Sequence, residues 1–271
     1  MITRSHAAQA DRGKISLVVP CYNEEDGLRN MVYRLVEAMQ VNQVPCELVL
    51  VDNGSTDNTG HEIDEMLAEG YPIRKVTVRV NQGYGYGVLC GLAACEGDYV
   101  GFLCADEQVD AADVARLCRV ALRSPSKRLY KVRRRFRMES FARQVVSFSY
   151  NLLARLVFGD LGSGDLNGNP KLFPRSSYEQ MNLLSNDWFL DAEVMIKARK
   201  LGLAVFELNV FSQMRAEGTS NVKPSTCWEF LKNLAYYRWG AGRLLMDRLE
   251  KQSPLSPSPS TIQTGKQPNV S

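Results

Sequence analysis

Two short apolar runs near the start of the chain stop abruptly at polar, turn-forming residues. Ile15 to Glu25 reads ISLVVPCYNEE and Cys46 to Thr59 reads CELVLVDNGSTDNT. Runs of this length, β-branched and apolar at consecutive positions, predict strands buried on both faces of a parallel sheet. Between them Leu28, Met31, Val32, Leu35 and Met39 recur at helical spacing within Glu25 to Val41. The pattern then predicts a helix from about Thr56 to Glu69 and a third strand from Ile73 to Val80. A small-residue helix from Val88 to Glu96 and a fourth strand from Asp98 to Cys104 follow. This alternation predicts an α/β fold, a mostly parallel sheet with helices on both faces.

The second half is less regular. It predicts a helix over Ala111 to Arg123, a strand over Arg128 to Val132 and a long helical stretch from about Glu139 to Phe158. Gly159 to Pro170 reads as loop, Lys171-Leu172-Phe173 as a short strand, Asp187 to Leu201 as a helix and Val205 to Val210 as a strand. Cys227 to Leu249 is the last predicted helix. Residues 1–13 are polar and aperiodic, and 252–271 are rich in Ser, Pro, Thr and Gln; both are expected to be disordered. The expected organisation is a main domain over 14–222 and an amphipathic C-terminal helix over 223–251.

Composition narrows the chemistry. Seven scattered cysteines without a C-x-x-C pair fit reduced thiols of a cytoplasmic protein better than a disulfide framework. Only two histidines are present, His6 and His61, which argues against Ser-His-Asp or Cys-His catalysis and against a His-built zinc site. Carboxylates and basic residues must carry the chemistry. No apolar run approaches a bilayer's thickness and the N-terminus lacks the apolar core of a signal peptide, so a soluble or peripheral protein is expected.

In an open α/β sheet ligands bind outside the carboxyl ends of the strands. Tyr22-Asn23-Glu24 and Asp52-Asn53-Gly54-Ser55 end the first two strands and would line one rim, where a nucleotide would sit. Asn81 to Gly91, NQGYGYGVLCG, departs from G-x-G-x-x-G, since Val88 and Cys90 stand where glycine is needed. Gly83, Gly85 and Gly87 then mark either a flexible turn or a backbone that approaches a ligand or the next strand. GDYVGFLCADEQVD delivers Asp106, Glu107 and Gln108 to the same rim. Oxygen ligands there suit Mg²⁺ or Mn²⁺ shared with substrate phosphates. Asp110 reads instead as a helix N-cap.

From Lys127 to Arg143 there are eight basic residues and one acid, Glu139. They lead into Phe141, Val145, Phe148, Leu152 and Leu156 at helical spacing. A solvated charged face beside core packing explains this, as does an anionic phosphate at a membrane surface. Nucleic acid is not expected, because no stacking platform accompanies the charge. Asp191 and Glu193 are candidate bases, but two residues apart on one helix they point in different directions, so at most one faces a site.

Together these segments resemble the family 2 glycosyltransferases of GT-A fold, especially the dolichyl- and polyprenyl-phosphate mannosyl- and glucosyltransferases. The resemblance covers roughly residues 14–222 and rests on VVPCYNEE, LVDNGSTDNT, NQGYGYG, GDYVGFLCADEQ, RRRFR followed by SFSYNLL, and ELNVFSQMRAEGTSN. It implies that Pro20, Tyr22, Glu24, Asp52 and Gly54 hold base and ribose, and that Asp106 and Gln108 serve the metal and diphosphate. The expected reaction is an inverting hexose transfer from a GDP- or UDP-sugar, and of the basic residues Arg134 and Arg137 are the candidates for stabilising the leaving diphosphate. Arg134, Asn151, Asp165 and Arg215 match residues of the phosphate-acceptor transferases, which favours a polyprenyl phosphate met peripherally at the cytoplasmic face of a membrane. A saccharide hydroxyl acceptor would need Asp191 or Glu193 as base. Two departures stand out: Cys104 occupies the first acidic position of the D-A-D motif, and Asn53 stands where a second aspartate is usual. The first makes a catalytically silent nucleotide-sugar-binding scaffold the rival reading.

Overall fold

The computed structural model describes residues 13–124, 127–137, 141–212 and 224–239. The expected disordered ends, Arg215 and the last turns of the final helix lie outside the described residues. A seven-stranded sheet has the order β3-β2-β1-β4-β6-β5-β7. Its strands are β1 (Ile15–Cys21), β2 (Cys46–Asn53), β3 (Ile73–Val78), β4 (Tyr99–Phe102), β5 (Arg128–Arg137), β6 (Lys171–Pro174) and β7 (Ala204–Ser212). β1 pairs in parallel with β2 and β4, β2 with β3, and β5 with β7; β6 alone runs against its neighbours β4 and β5. The carboxyl ends of six strands therefore meet at one rim, with the order reversing between β1 and β4. Such a reversal opens the crevice in which α/β proteins bind ligands.

The core lies on both sides of the sheet, as consecutive apolar residues require. Ile15, Leu17 and Val19 face α1 (Leu28–Val41), α2 (Thr59–Ala68) and α4 (Ala111–Arg123). Val18, Val49 and Val51 face α3 (Tyr84–Ala93), α5 (Phe141–Phe158), α6 (Arg175–Met181), α7 (Leu190–Lys200) and α8 (Pro224–Trp239). In α1 the residues at helical spacing, Leu28, Met31, Val32, Leu35 and Met39, are the buried ones. Asp110 caps α4, accepting the Ala112 N–H at 2.8 Å.

The structure corrects several sequence expectations. β5 continues five residues past Val132 to Arg137, because β7 supplies a partner along its whole length. α6 was not predicted; its seven residues, RSSYEQM, are too few for a periodic signal. The glycine segment is not a loop: α3 begins at Tyr84, ahead of the predicted Val88. Those glycines serve close packing within the protein. A Cβ on Gly85 would lie 2.3 Å from the Ser185 carbonyl oxygen and one on Gly87 2.8 Å from the Asn53 side chain.

Candidate active site

The turns after β1 and β2 form one hydrogen-bonded unit. Asn23, at φ 55, accepts the Thr56 N–H through Oδ1 at 2.8 Å, and its own N–H reaches Ser55 Oγ at 3.3 Å. The Glu24 N–H donates to Thr59 Oγ1 at 2.9 Å, and Glu25 accepts the Asn58 N–H at 2.8 Å. Asp57 is partly desolvated, which opposes its charge. Bonds from the Thr59 hydroxyl and N–H outweigh this and hold its carboxyl below the usual range. Asp52 accepts the Ser55 N–H at 3.0 Å. Pro20 and Tyr22 flank this unit, Tyr22 exposed.

Gly54 joins the unit to the third strand's loop. It has φ 73, and a Cβ there would lie 2.5 Å from the Asn81 backbone nitrogen, so no side chain fits. Asn81 Oδ1 accepts the Gly83 N–H at 2.8 Å and Asn53 Nδ2 donates to the Gly83 carbonyl at 3.1 Å. Pro20, Tyr22, Asn23, Glu24, Asp52, Gly54, Asn81 and Gly83 thus belong to one rim. Gly85 does not: it lies inside α3 under the Ser185–Asp187 backbone.

Behind β4 the three candidate metal ligands separate. Asp106 is half-buried, its Oδ1 3.4 Å from the Gln108 N–H. Glu107, at φ 49, turns to α1, where its carboxylate pairs with Arg34 Nη1 at 2.6 Å and accepts from Asn30 Nδ2 at 3.3 Å. Gln108 Oε1 accepts from Arg134 Nη1 at 3.4 Å. Glu107 is therefore not a partner of Asp106 but the tether of its loop. Cys104 does not substitute for an acid either. Burial, with the charges of Asp106 and Asp191, pushes its thiol up to about 12, so it stays neutral near Tyr84 and Asn169. Among the described residues no three His, Cys, Asp or Glu side chains gather as a metal site. The donor set fits a hard cation held by one carboxylate, Asp106, together with substrate phosphate oxygens, a usual Mg²⁺ arrangement.

Arg134 and Asp165 form a two-pronged ion pair. Arg134 Nε lies 3.0 Å from Oδ2 and Nη2 2.9 Å from Oδ1, and the Arg134 N–H adds a third bond at 3.1 Å. Asn151 of α5 accepts the Leu166 N–H at 2.9 Å and so pins the loop carrying Asp165. Beneath lies Lys131, fully buried, donating to Ser163 Oγ at 3.2 Å and to Glu207 at 3.4 Å. Burial and the charge of Lys171 lower its ammonium to about 8, against the pull of Asp165 and Glu207. Sequence reasoning passed over Lys131 and Lys171, although a lysine inside a predicted central strand is itself a signal of a buried partner. Arg137 ends β5; its side chain and Arg215 lie outside the described residues.

Asp191 and Glu193 diverge on α7, as their spacing requires. Buried Asp191 is ion-paired with Lys171 at the base of the rim, and Lys171 also donates to Asn169 Oδ1 at 3.1 Å. Glu193 points to the opposite side. It accepts from Leu184 N at 3.0 Å, Ser185 N at 2.8 Å, Lys197 Nζ at 2.5 Å and the Tyr237 hydroxyl at 2.6 Å. With its oxygens so engaged and no exposed surface, Glu193 anchors α8 and the loop before α7 and cannot act as a base at the rim.

A mostly parallel sheet whose order reverses between β1 and β4, with an acid following β4, is the arrangement of the GT-A fold. The chain belongs to glycosyl transferase family 2, whose model it matches over residues 16–181. It is 30% identical over 147 residues to the undecaprenyl-phosphate 4-deoxy-4-formamido-L-arabinose transferase of Proteus mirabilis (strain HI4320), a stretch covering 54% of this chain and 44% of that one. The match thus spans less than half the length of that relative. Among solved structures, glucosyl-3-phosphoglycerate synthase from Mycobacterium tuberculosis with phosphoglyceric acid superposes with a TM-score of 0.63. It is 21% identical, over 83% of this chain and 80% of that one. The same enzyme with Mn²⁺, uridine diphosphate and glucosyl-3-phosphoglycerate gives 0.61 at 22% identity, over 84% and 80%.

Proposed function

We propose that the chain is an inverting transferase that moves a hexose from a GDP- or UDP-sugar to a polyprenyl phosphate at a membrane surface. The observation that carries this reading is the state of the two candidate bases. Asp191 is spent on buried Lys171 and Glu193 on Lys197, Tyr237 and two backbone N–H groups. A hydroxyl acceptor needs a base to take its proton, whereas a phosphate acceptor arrives already ionised. The phosphate oxygen attacks the anomeric carbon, the bond from that carbon to the diphosphate oxygen breaks, and its electron pair leaves on the nucleoside diphosphate. No proton changes hands.

In this reading the turns after β1 and β2 hold the nucleoside, with Asp52 and Glu24 as the groups for ribose and base. Asp106 would hold Mg²⁺ or Mn²⁺, which supplies charge neutralisation to the diphosphate when bound. Arg134, oriented by Asp165, meets the departing charge. Two observations support a lipid acceptor. The relative from Proteus mirabilis is named for transfer involving undecaprenyl phosphate. On the adjoining α5 and α8, Leu152, Leu153, Leu156, Tyr236 and Trp239 are exposed, with Lys232 and Arg238 also exposed, a composition suited to an anionic bilayer surface. Among the described residues no helix is long and apolar enough to cross a membrane.

The test is a transfer assay with radiolabelled GDP- and UDP-sugars, vesicles containing polyprenyl phosphate, and Mg²⁺ or Mn²⁺. Label partitioning into the lipid phase, lost in Asp106→Ala, is the expected result. Donor binding without transfer to lipid, but with transfer to a saccharide hydroxyl, would replace the acceptor. Donor binding with no transfer at all would leave the silent scaffold.

A further inference from the structure

Trp188 lies in the loop before α7, and 36% of its surface is exposed. One face of its indole is spent: it stacks on Tyr84 with ring centroids 4.5 Å apart and an angle of 8° between the planes. Tyr84 is fixed in turn, its hydroxyl 3.4 Å from Asn169 Nδ2 and 4.0 Å from Cys104 Sγ. The backbone beneath is clamped. The Tyr86 N–H donates to the Asn186 carbonyl at 3.1 Å, and a Cβ on Gly83 would lie 2.4 Å from that same oxygen. On the other side Asp187 accepts the Phe189 N–H at 2.8 Å and Asn233 Nδ2 at 2.9 Å.

A core aromatic buries both faces and an incidental surface tryptophan has none fixed; Trp188 does neither. It is a rigid plane with one face backed and a third of its surface in solvent. The ring it stacks on, Tyr84, carries a hydroxyl 4.0 Å from Cys104 Sγ, two residues before Asp106, the proposed diphosphate-side acid. The group one bond beyond a donor's diphosphate is its sugar. A pyranose presents an apolar C–H surface that packs on an aromatic face, and ligand sites combine such apolar walls with a few fixed polar groups. A plane ordered before binding adds little ordering cost when the ring arrives.

We propose that Trp188, backed by Tyr84, is the platform on which the hexose ring of the nucleotide-sugar donor stacks. The proposal rests on the nucleotide-sugar reading of the crevice and adds a residue that reads the sugar rather than the nucleotide.

The chain has three tryptophans, Trp188, Trp228 and Trp239, so Trp228→Phe with Trp239→Phe leaves Trp188 as the sole indole reporter. That protein is titrated with UDP, UDP-glucose, GDP and GDP-mannose, with calorimetry in parallel. The expected result is a change in Trp188 emission with a nucleotide sugar and none with the matching free diphosphate at saturation. In the otherwise native chain, Trp188→Ala weakens nucleotide-sugar binding roughly tenfold, equivalent to about 1.4 kcal/mol, and leaves free diphosphate binding unchanged. Trp188→Phe, which keeps a ring and the fold, recovers part of the loss. Equal losses for sugar-bearing and sugar-free nucleotides would overturn the proposal in favour of a structural role. So would an emission change produced only by a short-chain polyprenyl phosphate in detergent, which would make the platform part of the acceptor site. If calorimetry shows nucleotide-sugar binding while Trp188 stays silent, the platform falls and the proposed function stands. If no nucleotide sugar binds, both fall.

Discussion

Arg134 and Asp165 are joined by two parallel N–H···O bonds of 3.0 and 2.9 Å, and Asp165 takes a third from the Arg134 backbone. Their side chains are 13% and 3% exposed, so neither charge is compensated by water. Removing one partner of such a pair costs about 3–5 kcal/mol, most of it the desolvation of the charge left behind. Asp165→Ala is therefore expected to unfold at markedly lower denaturant, whereas Asp165→Asn keeps acceptor geometry and loses less. With the fold kept, Asp165→Asn lowers kcat more than it changes the KM of the donor, because it loosens the group that meets the leaving charge. Steady-state kinetics on the soluble variant checks this; a KM effect alone would place Asp165 in donor binding.

The contrast between these two residues and their neighbours explains what could be read from the chain. The rim was legible because runs such as ISLVVPC must be buried strands and the polar residues after them must lie at strand ends. Asp165 and Arg134 were singled out separately, but not as partners, since a loop residue 31 positions away leaves no periodic trace. Glu107 and Asp106 are adjacent in sequence and diverge because a left-handed backbone at Glu107 turns its carboxylate to Arg34, which no spacing rule anticipates. The glycines of NQGYGYG implied close approach, yet not what they approach: for Gly83 and Gly85 a loop near residue 186, from the far half of the sequence, and for Gly87 the Asn53 side chain.

Glu193 is expected to be a determinant of stability and not of turnover. Its carboxylate is the shared acceptor for Lys197, Tyr237 and the backbone at Leu184 and Ser185, with no exposed surface. Glu193→Ala strands a buried ammonium and is expected to cost about 3–5 kcal/mol. Tyr237→Phe removes one hydrogen bond and is expected to cost about 1 kcal/mol. Denaturant unfolding measures both. Tyr237→Phe should keep near-native kcat, and a loss of two orders of magnitude there would return Glu193 to the list of reacting groups.

Lys131 gives the stability a signature in alkali. Its ammonium falls from an ordinary 10.5 to about 8 in the fold, chiefly by burial. Between these values the unfolded chain holds a proton that the folded chain has released, so this group makes stability rise with pH from about 8 to 10.5. The full contribution is on the order of 3 kcal/mol at about 1.4 kcal/mol per pH unit. Buried thiols act oppositely: Cys104 and Cys95, both raised to about 12, lose stability as pH climbs above 9. The informative quantity is therefore the difference between native protein and Lys131→Met. The variant, although less stable, is expected to lack the rising component; identical slopes would mean that Lys131 stays charged through a partner outside this network.

Cys104→Asp, which restores the usual acid, is expected not to rescue a crippled site. The thiol is held neutral by burial and by the nearby charges of Asp106 and Asp191, and those influences would act on a carboxylate at the same place. Without metal the variant gathers like charges in a poorly hydrated space and should lose about 1–3 kcal/mol, roughly 2–12 °C in melting temperature at about 2–4 °C per kcal/mol. A divalent cation relieves that repulsion, so Mn²⁺ should raise the variant's melting temperature by more than it raises the native protein's. Thermal melts with and without Mn²⁺ read this independently of activity. Turnover is expected to change by less than tenfold, because Asp106 and the donor's own phosphates already supply the oxygens a hard cation requires. A gain well beyond tenfold would identify the thiol as the limiting defect of the natural site and favour the silent-scaffold reading for the native chain.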